Sequence, residues 1–303
     1  MSTPIEAATA VRIVVIGAGE MGAAVARRLR ECGATVMTSP KGRSAASIER
    51  IMHAGIEGVD DDHLLVREAD FVMSIVPPGV AVEVAQRFRE PLLEAKAKPI
   101  FVECNAIAPA TTRRIEEILR GARFIDASII GGPPAAGTQD PAKGPRFYAS
   151  GAEASELERL AKYGLDIAVL DAPIGAASAL KLAYAGMTKG FTALATAMVN
   201  AASREGLADA LRAELSRTQP GFLTRLERSI PDMFPKAYRW VAEMEQISDF
   251  IGAEREGANI YIGMARLYEW VASELNGRDS QNIEALAEFC RAVGVVRERP
   301  VKS

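Results

Sequence analysis

Residues 11–33 read VRIVVIGAGEMGAAVARRLRECG. Val11 to Ile16 is a short run of mostly β-branched side chains, the composition of a strand buried in a parallel sheet. Gly17, Gly19 and Gly22 follow in the spacing G-x-G-x-x-G, and Ala23, Val25, Ala26 and Leu29 continue as one apolar helix face closed by Gly33. Each glycine has its own physical task. Gly17 permits a tight turn, Gly19 lets backbone approach a pyrophosphate, and Gly22 lets the helix lie close to the strand. The helix N-terminus then attracts the phosphates. The same glycines also suit a sharp turn in another α/β fold, but a strand before and a helix after them favour a dinucleotide site. Gly17, Ala18, Gly19, Glu20, Met21 and Gly22 are therefore the expected cofactor contacts.

Further strands lie on either side of regular helical stretches. ATVMT (34–38), DFVMSIVPP (70–78), KPIFVECN (98–105), RFIDASII (123–130) and DIAVLD (166–171) have strand character. Helical patterns such as 44–54 and 80–93 separate them. This alternation predicts an α/β fold, a Rossmann-type doubly wound parallel sheet with helices on both faces. Ligands of such sheets bind outside the carboxyl ends of the strands, which places Val76, Pro77 and Asn105 at the rim of one crevice. At the end of the second strand, TSPKGRS (38–44) contains no acid to bind a ribose 2′-hydroxyl. Ser39 offers a hydroxyl, and Lys41 and Arg43 offer charge that suits a 2′-phosphate. A solvated basic loop is the plainer reading. NADP(H) is expected in preference to NAD(H), which stays possible.

The bulk composition narrows the field. A chain of 303 residues exceeds what one hydrophobic core usually supports, so two domains are expected. A net charge of −3 gives no reason to expect nucleic acid as a partner. No apolar run reaches the roughly 18 residues that span a bilayer, so no membrane partner is expected. The opening MSTPIEAATA lacks a signal-peptide pattern and reads as a short disordered leader. Cys32, Cys104 and Cys290 match neither a disulfide framework nor a metal-ligand spacing, and His53 and His63 have no ligand partners in sequence. A cytoplasmic, metal-free protein is expected, with any proton chemistry falling to a lysine, tyrosine or carboxylate.

GAASALKLAYAGMTKG (175–190) places a lysine, Lys181, in the middle of a stretch made almost wholly of small and apolar residues. Its stem either lies along apolar surface with the charge in water, or its ammonium faces a cleft. From Ala177 to about Glu205 the pattern stays helical and poor in polar residues, too apolar for a solvated linker. YRWVAEMEQISDFIGAE and IYIGMARLYEWVASEL read as later amphipathic helices, with Trp240 and Trp270 as core or interface anchors. GGPPAAGTQDPAKGPRFYASG (131–151) is a loop that ends in a strand, RFYAS, and reads equally as a lid or a long connection.

Three stretches, VVIGAGEMGAAVARRLRECG, DASIIGG (126–132) and GAASALKLAYAG, resemble in order and spacing the signatures of the β-hydroxyacid dehydrogenases, which include 3-hydroxyisobutyrate and 6-phosphogluconate dehydrogenases. FPKAYRWVAEMEQISDF (234–250) is similar to a C-terminal domain of phosphogluconate dehydrogenase-like proteins of unassigned function. The resemblance implies a nucleotide-binding domain over 1–172 and, over 173–303, an all-α domain entered by a long interdomain helix. That second domain would carry a homodimer interface, and the active site would lie between the domains.

The family pattern G-x-G-x-x-x-K-x-x-N makes its lysine the catalytic acid/base. Gly175 and Lys181 match it, Ala177 replaces the second glycine, and Tyr184 stands at the asparagine position. An ammonium there both stabilises a developing alkoxide and donates a proton. In the family's substrate motif, Asp126, Gly131 and Gly132 are kept while Ile130 replaces a serine. Ser128, Ile130, Gly131, Gly132 and Tyr184 are the implied substrate contacts, with Asn105 near both nicotinamide and substrate. The family's later Lys-Asp pair aligns with Met244–Glu245. Three polar contacts have thus become larger or more apolar, which favours a bulkier substrate unless other residues compensate. The expected activity is NADP(H)-dependent interconversion of a hydroxyl and a carbonyl. An imine reductase on the same scaffold is the alternative, although a cationic Lys181 repels an iminium. A sensor that binds NADP(H) without turnover is the other.

Overall fold

The computed structural model describes residues 10–138, 140–252, 254–277 and 281–291, so nearly all of the leader lies outside it. The chain divides into two compact units after Leu182.

The first unit alternates strands and helices in chain order. These are β1 (Arg12–Ile16), α1 (Glu20–Glu31), β2 (Thr35–Thr38), α2 (Ala45–His53), β3 (Glu57–Gly58), α3 (Asp62–Val66), β4 (Phe71–Ser74), α4 (Ala81–Glu94), β5 (Ile100–Glu103), α5 (Pro109–Ile118) and β6 (Arg123–Ile130). β7 (Arg146–Ser150), a 3-10 stretch (Ala154–Tyr163) and β8 (Asp166–Val169) complete it. The eight strands form one sheet in the order β3-β2-β1-β4-β5-β6-β7-β8.

Alternate residues of each strand go to opposite faces, because strand side chains have a period of two. Ile13 and Val15 pack with Val25 and Leu29 of α1 and with Leu157 and Leu160. Val14, Ile16 and Phe101 pack with Phe88 and Leu92 of α4 and Ile115 of α5. Every neighbouring pair is parallel except β6 and β7, which run antiparallel. This departs from the all-parallel expectation. Parallel neighbours need a crossover, usually helical, and between β6 and β7 the only helix among the described residues is one 3-10 turn, Pro141–Lys143.

The helix α6 (Ala176–Arg204), 29 residues and about 40 Å long, begins in the first unit and continues into the second. The second unit is all helical: α7 (Ala208–Thr218), α8 (Pro220–Met233), α9 (Ala237–Ile251), α10 (Glu256–Asn276) and α11 (Gln281–Cys290) follow. α9 and α10 pack on each other through Met244, Ile247, Tyr268 and Val271, all buried, and Trp240 meets Tyr268 edge-on at 5.2 Å. Among the described residues, no helix is long and apolar enough to cross a membrane.

Candidate active site

The turn after β1 has the shape its glycines predict. Gly17 adopts φ +131°, and a Cβ there would lie 1.9 Å from the Ile75 carbonyl oxygen. A Cβ on Gly22 would lie 2.1 Å from the Gly17 carbonyl oxygen, whereas one on Gly19 would meet nothing within 4 Å. Two glycines are therefore required by packing, and the third leaves backbone open to a ligand. Gly19 caps α1 without a side-chain hydrogen bond, which leaves the first amides of the helix, from Glu20 and Met21, available to an anion. Arg50 of α2 donates to the Ala18 carbonyl at 2.8 Å and fixes the loop from outside. These residues fit a dinucleotide pyrophosphate.

At the end of β2, Ser39 is buried, and its hydroxyl accepts from Arg87 of α4 at 2.7 Å. Arg87 is itself held by both carboxylate oxygens of Asp62, at 2.6 and 2.5 Å. Arg43 is half-buried beside Arg87, and its Nε has no hydrogen-bond partner. Burial first, and the Arg87 charge second, push the Arg43 pKa down. Arg43 thus has a buried donor to spare for an anion, whereas Arg87 is already paired with Asp62. Lys41 is exposed nearby in sequence. Arg87 was not legible as a site residue, since it lies about 50 residues beyond Ser39 on an ordinary amphipathic helix.

Across the carboxyl ends of the strands runs a row of buried polar residues. Ser74 of β4 pairs in register with Glu103 of β5, Glu103 with Asp126 of β6, and Asp126 with Ser150 of β7. All four side chains are fully buried. At one end of the row, Asn105 donates its amide N–H to Glu103 at 2.9 Å and its side-chain N–H to Ser74 at 2.9 Å, and accepts from the Val76 amide at 2.6 Å. Asn105 thus locks Val76, at the crevice rim, while the following Pro77 is exposed. At the other end, the Asp126 carboxylate accepts from Gly175 N at 2.8 Å, Ser178 N at 3.3 Å, Ser178 Oγ at 2.7 Å and Ser150 Oγ at 2.9 Å. This carboxylate anchors the start of α6. Ser128 is buried too, and its hydroxyl donates to the Ala177 carbonyl at 2.8 Å, so it also holds that helix.

Anchored in this way, α6 brings the Lys181 ammonium onto the Ile129 carbonyl at the end of β6. Desolvation pushes the Lys181 pKa below its ordinary value of 10.5. Beside it, Ile130 is partly exposed, and Gly131 and Gly132 are exposed. Gly131 needs its left-handed φ of +131°, and a Cβ there would come within 2.9 Å of Pro145. The loop that follows is tied to the nucleotide-binding helix. Arg27 donates to the Pro134 carbonyl at 3.0 Å, and the fully buried Arg28 reaches the carbonyls of Ala135, Asp140 and Gly164 at 3.3–3.4 Å.

In the second unit, Tyr184 is 51% exposed, and Met244 is buried in its helical core. The polar pair present there is Lys189 with Glu243, an ion pair whose ammonium also sits 4.9 Å above the Trp240 ring. Sequence reading missed Lys189, Glu243, Arg87 and Glu103. Among the described residues, no group of three His, Cys, Asp or Glu side chains is placed to hold a metal ion.

Comparison with known proteins supplies the family. The NAD binding domain of 6-phosphogluconate dehydrogenase matches residues 12–163, half of the chain, and a domain of unknown function (DUF1932) matches residues 202–271. A solved structure of a conserved protein of unknown function, similar to 3-hydroxyacid dehydrogenases, is 30% identical, with a TM-score of 0.70 over 87% of this chain and 97% of that one. The 3-hydroxyisobutyrate dehydrogenase of Pseudomonas aeruginosa is 30% identical over 40% of this chain and 41% of its own length. The fold alone recurs in the imine reductase of Myxococcus stipitatus. Its complex with NADP+ is 20% identical with a TM-score of 0.52, and a variant's complex with NAD+ is 19% identical with a TM-score of 0.58. Each covers 93% of this chain and 99% or more of the reductase. The match spans the glycine cradle and the sheet from β1 to β7: the chain belongs to the family built on the NAD binding domain of 6-phosphogluconate dehydrogenase, among the NAD(P)-dependent dehydrogenases and reductases.

Proposed function

We propose that this protein is an NADP(H)-dependent oxidoreductase that interconverts a hydroxyl and a carbonyl on a small β-hydroxyacid-like molecule, with Lys181 as general acid/base. The observation that carries this reading is the Lys181 ammonium on the Ile129 carbonyl, one residue before Ile130 and the open Gly131–Gly132 backbone. A bound nicotinamide supplies or accepts the hydride. This chain's residues then have three tasks. The amides of Gly131 and Gly132 orient a carboxylate or similar anion, and Asn105 holds Val76 against the nicotinamide end. Lys181 gives a proton to the substrate oxygen in reduction and removes it in oxidation. Desolvation lowers its pKa, which makes the ammonium a better acid toward the substrate oxygen. Ile130, in place of a polar residue before the open glycines, favours a substrate with an apolar portion.

For cofactor choice, the Arg43–Arg87 pair and the absence of an acid after β2 favour the 2′-phosphate of NADP(H). A homodimer through the helical unit is consistent with the stripe of Met187, Phe191, Leu194 and Met198 along α6, between 43% and 62% exposed. Three free cysteines suit the cytoplasm. A screen of hydroxyacids and ketoacids, following NADPH absorbance, tests the activity. Turnover of imines with indifference to Lys181 replacement would move the imine-reductase reading ahead. Tight NADPH binding without turnover of any carbonyl, alcohol or imine would favour the sensor.

A further inference from the structure

Glu103 lies in the middle of the buried polar row and takes no part in the chemistry above. One oxygen, Oε1, accepts the Asn105 amide N–H at 2.9 Å, while Oε2 has no partner. Its neighbour in register on β6 is a second carboxylate, Asp126, which already holds α6 through Gly175 and Ser178. An orphaned oxygen on a fully buried carboxylate is far more costly than one on a neutral acid, and two adjacent charges in so dry a place repel. Asp126 is the better hydrogen-bonded of the two, so it is the one that keeps the charge.

We propose that Glu103 is a positioning residue that works as a neutral carboxylic acid, holding Asn105 and through it the Val76 rim of the cofactor crevice in register with the anchored start of α6. This inference rests on the proposed NADP(H) binding. Glu103 stands between two bonded groups: Val76, Asn105 and Ser74 on one side, to which its Oε1 is tied through the Asn105 N–H, and Asp126, Ser150 and Ser178 on the other, which it meets through strand register. When Glu103 loses its proton, its repulsion with Asp126 works against the register pairing of β5 and β6, at the end where both Asn105 and α6 are attached. The titratable group facing Glu103 is Asp126, while the Cys104 thiol, next to it in sequence, lies on the opposite face of the sheet with Val102; burial pushes all three upward, Glu103 to about 8. The cofactor crevice should therefore loosen as pH rises through that region.

The test measures NADPH affinity by fluorescence titration at about pH 6 and about pH 9.5, either side of that titration. Wild type, Glu103→Gln and Glu103→Ala are compared, with thermal melts confirming that each is folded. Glutamine keeps an oxygen for the Asn105 N–H and cannot ionise. Wild type should weaken roughly tenfold or more at the higher pH, Glu103→Gln should hold nearly constant affinity, and Glu103→Ala should be weakened at both. Should Glu103→Ala not fold, the comparison of wild type with Glu103→Gln still decides. A Glu103→Gln variant that keeps the wild-type pH dependence overturns the proposal. Failure of wild type to bind NADPH at either pH strikes instead at the functional reading on which it rests.

Discussion

Ser178 and Asp126 are joined twice across 52 residues of sequence: Ser178 Oγ donates to Oδ1 at 2.7 Å and Ser178 N donates to Oδ2 at 3.3 Å. Thr112 of α5 shares the Ser178 hydroxyl at 2.8 Å, so a strand, a helix of the sheet domain and the long helix meet at one oxygen. The consequence is geometric. Lys181 lies three residues further along the same helix, so the place of its ammonium is set by a carboxylate on the neighbouring strand. Burial raises the Asp126 pKa, and the hydroxyl and amide donors around it oppose that rise without cancelling it.

Asp126→Ala should therefore destabilise the protein by about 3 kcal/mol or more, because it removes the acceptor of four buried donors. Asp126→Asn keeps part of the network and should cost less. Urea unfolding followed by circular dichroism measures both; a loss below about 1 kcal/mol for the alanine variant would show that the anchor is dispensable.

Gly22→Ala and Gly19→Ala should separate folding from binding. The first drives a methyl into the Gly17 carbonyl and should lower the melting temperature sharply; the second meets open space and should leave it nearly unchanged. Gly19→Ala should nevertheless weaken NADPH binding at least tenfold, since the methyl occupies the path of the phosphates. Equal stability losses would contradict this division of labour.

Arg43→Ala and Arg87→Ala should each weaken NADPH by roughly tenfold or more while changing NADH by less than about threefold, the scale of one lost charged hydrogen bond. Calorimetric titration of the two cofactors gives the ratio. Parallel losses for both would mean that the pair braces the loop and does not read the 2′-phosphate.

Lys181→Met keeps length and apolar packing while removing the proton. Cofactor affinity should stay within a few-fold, and turnover should fall by roughly a hundredfold or more. The limb of the pH profile that belongs to Lys181 should vanish. A variant that turns over at a near-normal rate would leave this lysine as a tether to Ile129.

Stability should carry the signature of Glu103. Its carboxyl is raised from 4.5 to about 8 in the folded protein, so the folded state retains a proton that the unfolded chain releases. That contribution is present in full below about pH 4.5 and is lost as pH rises through about 8. Glu103→Gln should flatten the decline between those values in a series of thermal melts. An unchanged slope would assign the decline to other groups.

The sequence by itself determined the strand–glycine–helix unit, the alternation that builds the sheet, and Lys181 as an unusual charge amid small, apolar residues. Those features are local: a period of two or of 3.6, or a fixed glycine spacing, is visible in a window of some twenty residues. The antiparallel β7 was not visible, because strand direction depends on how the chain returns to the sheet, and Arg146–Ser150 reads the same either way. Nor was the polar row. Ser74, Glu103, Asp126 and Ser150 stand tens of residues apart, and only strand register brings them side by side. Arg87 likewise reaches Ser39 from a helix 48 residues further along the chain, which only the packing of α4 beside the end of β2 brings about. Local spacing carried the cofactor loop, whereas the tertiary structure alone decided which buried charges face one another, since that depends on contacts between segments distant in sequence.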